Sequence, residues 1–243
     1  MKHVLAAGVM LVAGSMSLVV AQPPAAPGGP PVTITLKDRH GHATPARRGF
    51  THTGGGNIDV AQPAPDTVVI TMAGVAVAGA HPCKDSIASL AFDLNQCLEI
   101  NIDNPKVKRA KVTLEGRVIG LLRSHKGGGK AEQGPAQATI ISGSTGVVSL
   151  DLPSHCVTGG DNLSINDHSG PVSALVAAGE YHLNQTFVVS ASHGSTLKLC
   201  KAASSEFAPD PALDPLWISY WEPFHGAGKK DFGFQVTIKV APE

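Results

Sequence analysis

Alternation of apolar and polar positions is the strongest signal in the chain. Phe92, Leu94, Leu98, Ile100 and Ile102 fall on one parity, and Asp93, Asn95, Glu99, Asn101 and Asp103 on the other, broken only at Gln96 and Cys97. Successive side chains of a strand point to opposite faces, so this run predicts a strand with one dry and one wet side. Beyond a turn at Asn104 and Pro105, Val112, Leu114, Val118 and Leu122 repeat the pattern, with Gly116 and Gly120 where a strand bends or another segment comes close. The two runs read as a long hairpin.

Further strands are predicted over 32–36, 138–141, 147–152, 163–165, 181–191, 197–199, 217–221 and 232–240. Residues 67–78, rich in β-branched side chains, read as one strand or a bulged pair. Helical signals are confined to 85–90 and 172–178, both short. Many short strands, frequent turn residues and no βαβ rhythm predict an all-β antiparallel sandwich, immunoglobulin-like or jelly-roll-like. The stretch Ala178-Gly179-Glu180-Tyr181-His182-Leu183 resembles the turn into a strand of immunoglobulin-like sandwiches, where a tyrosine ties the turn to the sheet. Those domains carry a cysteine two positions later, where this chain has Leu183.

The N-terminus changes the picture. Lys2 and His3 precede an apolar run from Val4 to Val20 and the small residue Ala21, the three-part layout of a secretory signal peptide cleaved after residue 21. A membrane anchor is the competing interpretation; the Gly and Ser interruptions and the cleavage-type ending favour the signal. Residues 22–31, QPPAAPGGPP, form a flexible spacer, and 32–243 the β region, as one large domain or two smaller units with a boundary near residue 130. Across the whole chain 19 basic residues balance 19 acidic ones, so no global field draws it to nucleic acid or an anionic membrane.

Export bears on the four cysteines, Cys83, Cys97, Cys156 and Cys200, because an even number in an exported protein points to disulfides. Three pairings are open, and the sequential one, Cys83 with Cys97 and Cys156 with Cys200, suits local folding. A zinc site from His81, Cys83, His155 and Cys156 would need reduced thiolates and lacks compact spacing.

Other chemistry is sparse. In an extended segment His40 and His42 share a face and could hold a metal with His52 as third ligand; the alternative is a solvated loop between strands, which the glycine between the first two favours. No Gly-x-Ser-x-Gly elbow surrounds any serine, and the Ser144 region lacks its first glycine. The carboxylate pairs Asp161 with Asp167 and Asp210 with Asp214 sit among loop-forming residues, and the glycine run 127–129 is no phosphate loop. Asn162 and Asn184 begin glycosylation sequons. No cofactor motif is present.

Six of the eleven aromatic residues lie between 217 and 234. Trp217 and Trp221, with Tyr220 between them, would stand roughly 13 Å apart on one strand face, either stacking on a ligand or closing the core. The expectation is therefore a secreted or envelope-associated β-sandwich acting as a non-enzymatic binding or assembly module, its partner a protein or carbohydrate. The alternative is a secreted hydrolase or metal-dependent enzyme using His40, His42 and His52.

Overall fold

Alternating segments become strands wherever the computed structural model describes the chain: residues 30–48, 51–53, 56–79, 85–124, 128–194, 204–208 and 233–243. In chain order the strands are β1 (Val32–Arg48), β2 (Thr51–Thr53), β3 (Asn57–Ala64), β4 (Thr67–Ala73), β5 (Ala76–Gly79), β6 (Ser86–Ile102), β7 (Ala110–Arg123) and β8 (Gly129–Ser142). They continue as β9 (Thr145–Leu152), β10 (His155–Thr158), β11 (Asn162–His168), β12 (Val172–Val176), β13 (Gly179–His193), β14 (Ser204–Ala208) and β15 (Gly233–Pro242). No helix occurs among the described residues. The two short helical expectations, 85–90 and 172–178, are instead mostly strand, at the start of β6 and along β12.

Two antiparallel sheets pack face to face. One runs β1-β6-β13-β8-β10 with β9 also on β8; the other runs β2-β5-β14-β7-β15-β4-β3 with β11 and β12 also on β7. Both draw strands from either side of residue 130. Between them Phe92 on β6 and Phe187 on β13 stack with centroids 5.8 Å apart, and Phe234 on β15 meets Phe187 from the opposite sheet, also at 5.8 Å. All three rings are fully buried. Tyr181 donates its hydroxyl to the carbonyl of Ala177 at 3.0 Å, fastening the turn to β13.

The expected hairpin between 92–102 and 112–122 does not form. β6 pairs with β1 and β13, whereas β7 lies in the other sheet and pairs with β15, β11, β12 and β14. Alternation specifies which side of a strand is dry, and two dry sides meet as well across a sandwich as along one sheet. Gly116 is where the opposite layer comes close: a Cβ there would stand 2.7 Å from a methyl of Leu150 on β9. The 67–78 stretch is two strands, β4 and β5, separated by Gly74 and Val75.

β1 also departs from expectation. Its second half is the histidine stretch, read from the sequence as a connection between strands, yet it pairs with β6 as far as Arg48 opposite Ile87. β6 is long enough to template it, and among the described residues β1 pairs with no other strand. An exposed edge invites unwanted pairing, and Pro45, Arg47, Arg48 and a bulge at Lys37 and Asp38 are the features that blunt one. Near its start, the amide of Ile34 donates to Pro65 at 2.8 Å and its carbonyl accepts from Gln62 at 2.6 Å.

The bulge explains Gln96, the polar residue that interrupts the dry parity. Its buried amide donates to the carbonyls of Lys37 at 3.0 Å and Cys97 at 2.9 Å, satisfying groups that the register shift removes from the ladder. Gln185, on the dry face of β13 between Leu94 and Ala138, has no such compensation. It is 1% exposed, and neither of its amide atoms has a hydrogen-bond partner. Gln185→Leu is therefore expected to raise stability by about 1–3 kcal/mol, the desolvation cost of an unpaired buried amide. A urea midpoint lower than wild type would show that the amide is bonded.

Candidate functional site

The wet side of the six-stranded sheet is built by the parity of β6. Asp93, Asn95, Cys97 and Glu99 project outward, while Leu94, Leu98 and Ile100 project to the core. Register extends each position into a row across the sheet. One row reads His40, Asn95, Asn184, Thr139, Ser149; the next reads His42, Asp93, Thr186, Gln137, Asp151. Strands about 4.8 Å apart and side chains about 6.6 Å apart along each strand make this a regular polar grid. Its β1 end forms an open depression whose lining includes Arg39, His40, His42, Asp93, Leu94, Asn95, Asn184 and Thr186.

Within the grid, Asn95 donates through Nδ2 to Oδ1 of Asn184 at 3.0 Å, and Thr139 and Ser149 share a hydrogen bond of 3.0 Å. Nε2 of His42 stands 3.9 Å from a carboxylate oxygen of Asp93. At the bulge, Nζ of Lys37 lies 3.4 Å from both Glu99 and Glu180. The hydrogen bond to Glu99 raises the Lys37 ammonium above its ordinary value, against a smaller opposing effect of desolvation, and Glu180 adds to the rise.

Cys97 sits beside these charges, paired in register with His182. Burial pushes its thiol pKa upward, the Glu180 carboxylate adds to that, and Lys37 opposes it. Cys97 and Cys156 are both free thiols, so the expected bridges Cys83–Cys97 and Cys156–Cys200 are not formed in this structure. Cys83 and Cys200 themselves lie outside the described residues. Cys97 points to the outer face of a central strand, as the parity of β6 requires, and its neighbours bury it there, which alternation alone does not reveal.

The other sequence candidates distribute as follows. His40 and His42 share one exposed face, as an extended segment requires, and His52 lies on β2 in the opposite sheet. His155 and Cys156, adjacent on β10, take opposite sides of the sheet, so they cannot hold one ion together. His155 instead bonds Asp167 of β11 at 2.5 Å, clipping the two sheets together at one edge. Ser144 is exposed in the turn between β8 and β9. Trp217, Tyr220, Trp221, His81, Asp210 and Asp214 lie outside the described residues, as do 1–29 and 197–199.

Sequence reasoning missed one constellation, Cys97 with Glu180 and His182, whose ligand atoms converge within 4.8 Å. Glu180 and His182 flank the start of the predicted strand 181–191 and Cys97 shares the wet parity of 93–103, which was the available signal; the pairing register that brings them together was what the sequence lacked. Fold and grid together define an antiparallel β-sandwich with a polar, hydrogen-bonding sheet face. The chain matches no protein-family model and no curated protein sequence.

Proposed function

We propose that this is an exported, non-enzymatic binding module that engages an extended, uncharged glycan of the envelope or extracellular space with the outer face of its six-stranded sheet. The observation that carries this is the pair of adjacent rows from β1 to β9, ten polar side chains with no apolar one among them. Amides, hydroxyls and imidazoles supply donors and acceptors together, as hydroxyl groups require. The ten include two carboxylates and no Lys or Arg, and Arg39 beside them is engaged with the carbonyl of Ile58, an unsuitable arrangement for a phosphodiester chain. They also lack the apolar centre that stable protein interfaces bury. Export rests on the signal-like segment 1–21, and the mature chain would begin at Gln22.

A glycan array tests the binding, comparing wild type with the double variant Asn184→Ala, Thr186→Ala. At about 0.5–1.5 kcal/mol for each hydrogen bond, the variant is expected to bind roughly tenfold more weakly. Equal retention of both proteins would place the contact elsewhere. The mass of the chain recovered from its native host tests export separately.

A further inference from the structure

The glycan grid leaves unused the group beside the bulge. Cys97 and His182 are register partners on β6 and β13, and Glu180 precedes His182 by two residues on the same face. Their sulfur, ring-nitrogen and carboxylate-oxygen atoms all lie within 4.8 Å of one another, with Nε2 of His182 4.0 Å from Oε1 of Glu180. We propose that Cys97, Glu180 and His182 bind a thiophilic divalent cation of the zinc class, leaving a fourth position for water or an external ligand.

The donor set is the first reason. Thiolate, imidazole and carboxylate are the three side-chain ligands of zinc, and three of them with an open position make a tetrahedral site. Bonds of about 2.0–2.3 Å place such ligand atoms roughly 3.5 Å apart, so closure needs side-chain shifts of about 1 Å. Cys97 and His182 stand on hydrogen-bonded central strands, and Glu180 is exposed and able to make most of that movement.

Orientation is the second. Nδ1 of His182 lies 3.3 Å from Oδ1 of Asn95, whose own amide is anchored on Asn184. A proton on Nδ1 donated to that oxygen leaves Nε2 as the unprotonated nitrogen facing Glu180, the arrangement by which outer groups hold a metal-binding histidine. Charge is the third. Lys37 bridges Glu99 and Glu180 and offsets only one of their two negative charges, and an ion would take its place at Glu180 while the Glu99 contact stays available.

Binding exchanges one proton for the ion: the S–H bond of Cys97 breaks, its proton goes to solvent, and the sulfur lone pair forms the bond to the metal. Lys37 and Asp38 from β1, Glu99 from β6 and Glu180 and His182 from β13 are the charged or titratable groups around that thiol; β8 contributes Ile141 opposite His182. Metal uptake releases the thiol proton, so affinity is expected to rise with pH.

Cobalt(II), added to the reduced full chain, is the probe. Wild type and Cys156→Ser are expected to develop the near-ultraviolet thiolate-to-cobalt charge-transfer band, zinc to abolish it by displacement, and Cys97→Ser to lack it. Asn95→Ala is expected to bind cobalt about 10–100-fold more weakly, as loss of an outer-shell partner does. A wild-type protein without the band, or a band unchanged in Cys97→Ser, would overturn the proposal. Should Cys97→Ser fail to fold, His182→Gln and Glu180→Gln decide, since undiminished affinity in both sinks it equally. Glycan retention without cobalt binding defeats this site alone, and cobalt binding without glycan retention defeats only the glycan proposal.

Discussion

Phe187→Ala is expected to destabilise the protein by about 3–5 kcal/mol, the usual cost of removing a fully buried aromatic ring. Phe187 is the shared member of the two ring contacts, stacked at 27° on Phe92 within its own sheet and tilted at 46° to Phe234 from the other. Its deletion therefore removes packing along one layer and between layers at once. Its register partner on β8 is Ala136, too small to fill the space, and the flanking strands are held at ladder spacing and cannot collapse inward. At about 2–4 °C for each kcal/mol in a domain of this size, the melting temperature should fall by roughly 6–20 °C. A loss below about 1 kcal/mol in equilibrium urea unfolding would mean that the three rings do not form the centre of the core.

That centre was largely legible in the sequence. Phe92 and Phe234 stand in the two cleanest alternating runs, and alternation directly encodes the side on which a strand is dry. Tyr181 was legible for a similar reason, since its bond to Ala177 is local in sequence. Partnership was not legible. Residues 112–122 carry the same pattern whether they lie beside 92–102 or across the core from it, and only the pairing of β7 with β15 decides. The stretch from Lys37 to Arg48 was opaque because it is exposed on nearly all sides and so shows no alternation, its extended form being templated by β6. The candidate metal site depends on register in the strictest sense. Cys97 lies 85 positions from His182, and sliding β13 by one residue would turn His182 into the core.

Gly233→Ala is the other substitution expected to cost most, about 3–5 kcal/mol from two separate sources. Gly233 has φ +93°, where an L side chain is strained by roughly 1–3 kcal/mol. A Cβ there would also stand 2.1 Å from the carbonyl oxygen of Met72 and 3.0 Å from Cα of Ala73, both backbone atoms of β4 that no rotamer change can move aside. Relief requires β4 and β15 to separate where Phe234 pairs with Met72, the contact that sets Phe234 beneath Phe187. Gly128 separates the two sources: its φ is +102°, yet a Cβ there would meet nothing within 4 Å. Gly128→Ala should therefore lose only the conformational part, about 1–3 kcal/mol, and the excess loss in Gly233→Ala measures the collision with β4. Equal losses in the two variants, read from urea midpoints under the same conditions, would show that β15 does not approach β4 as closely as this.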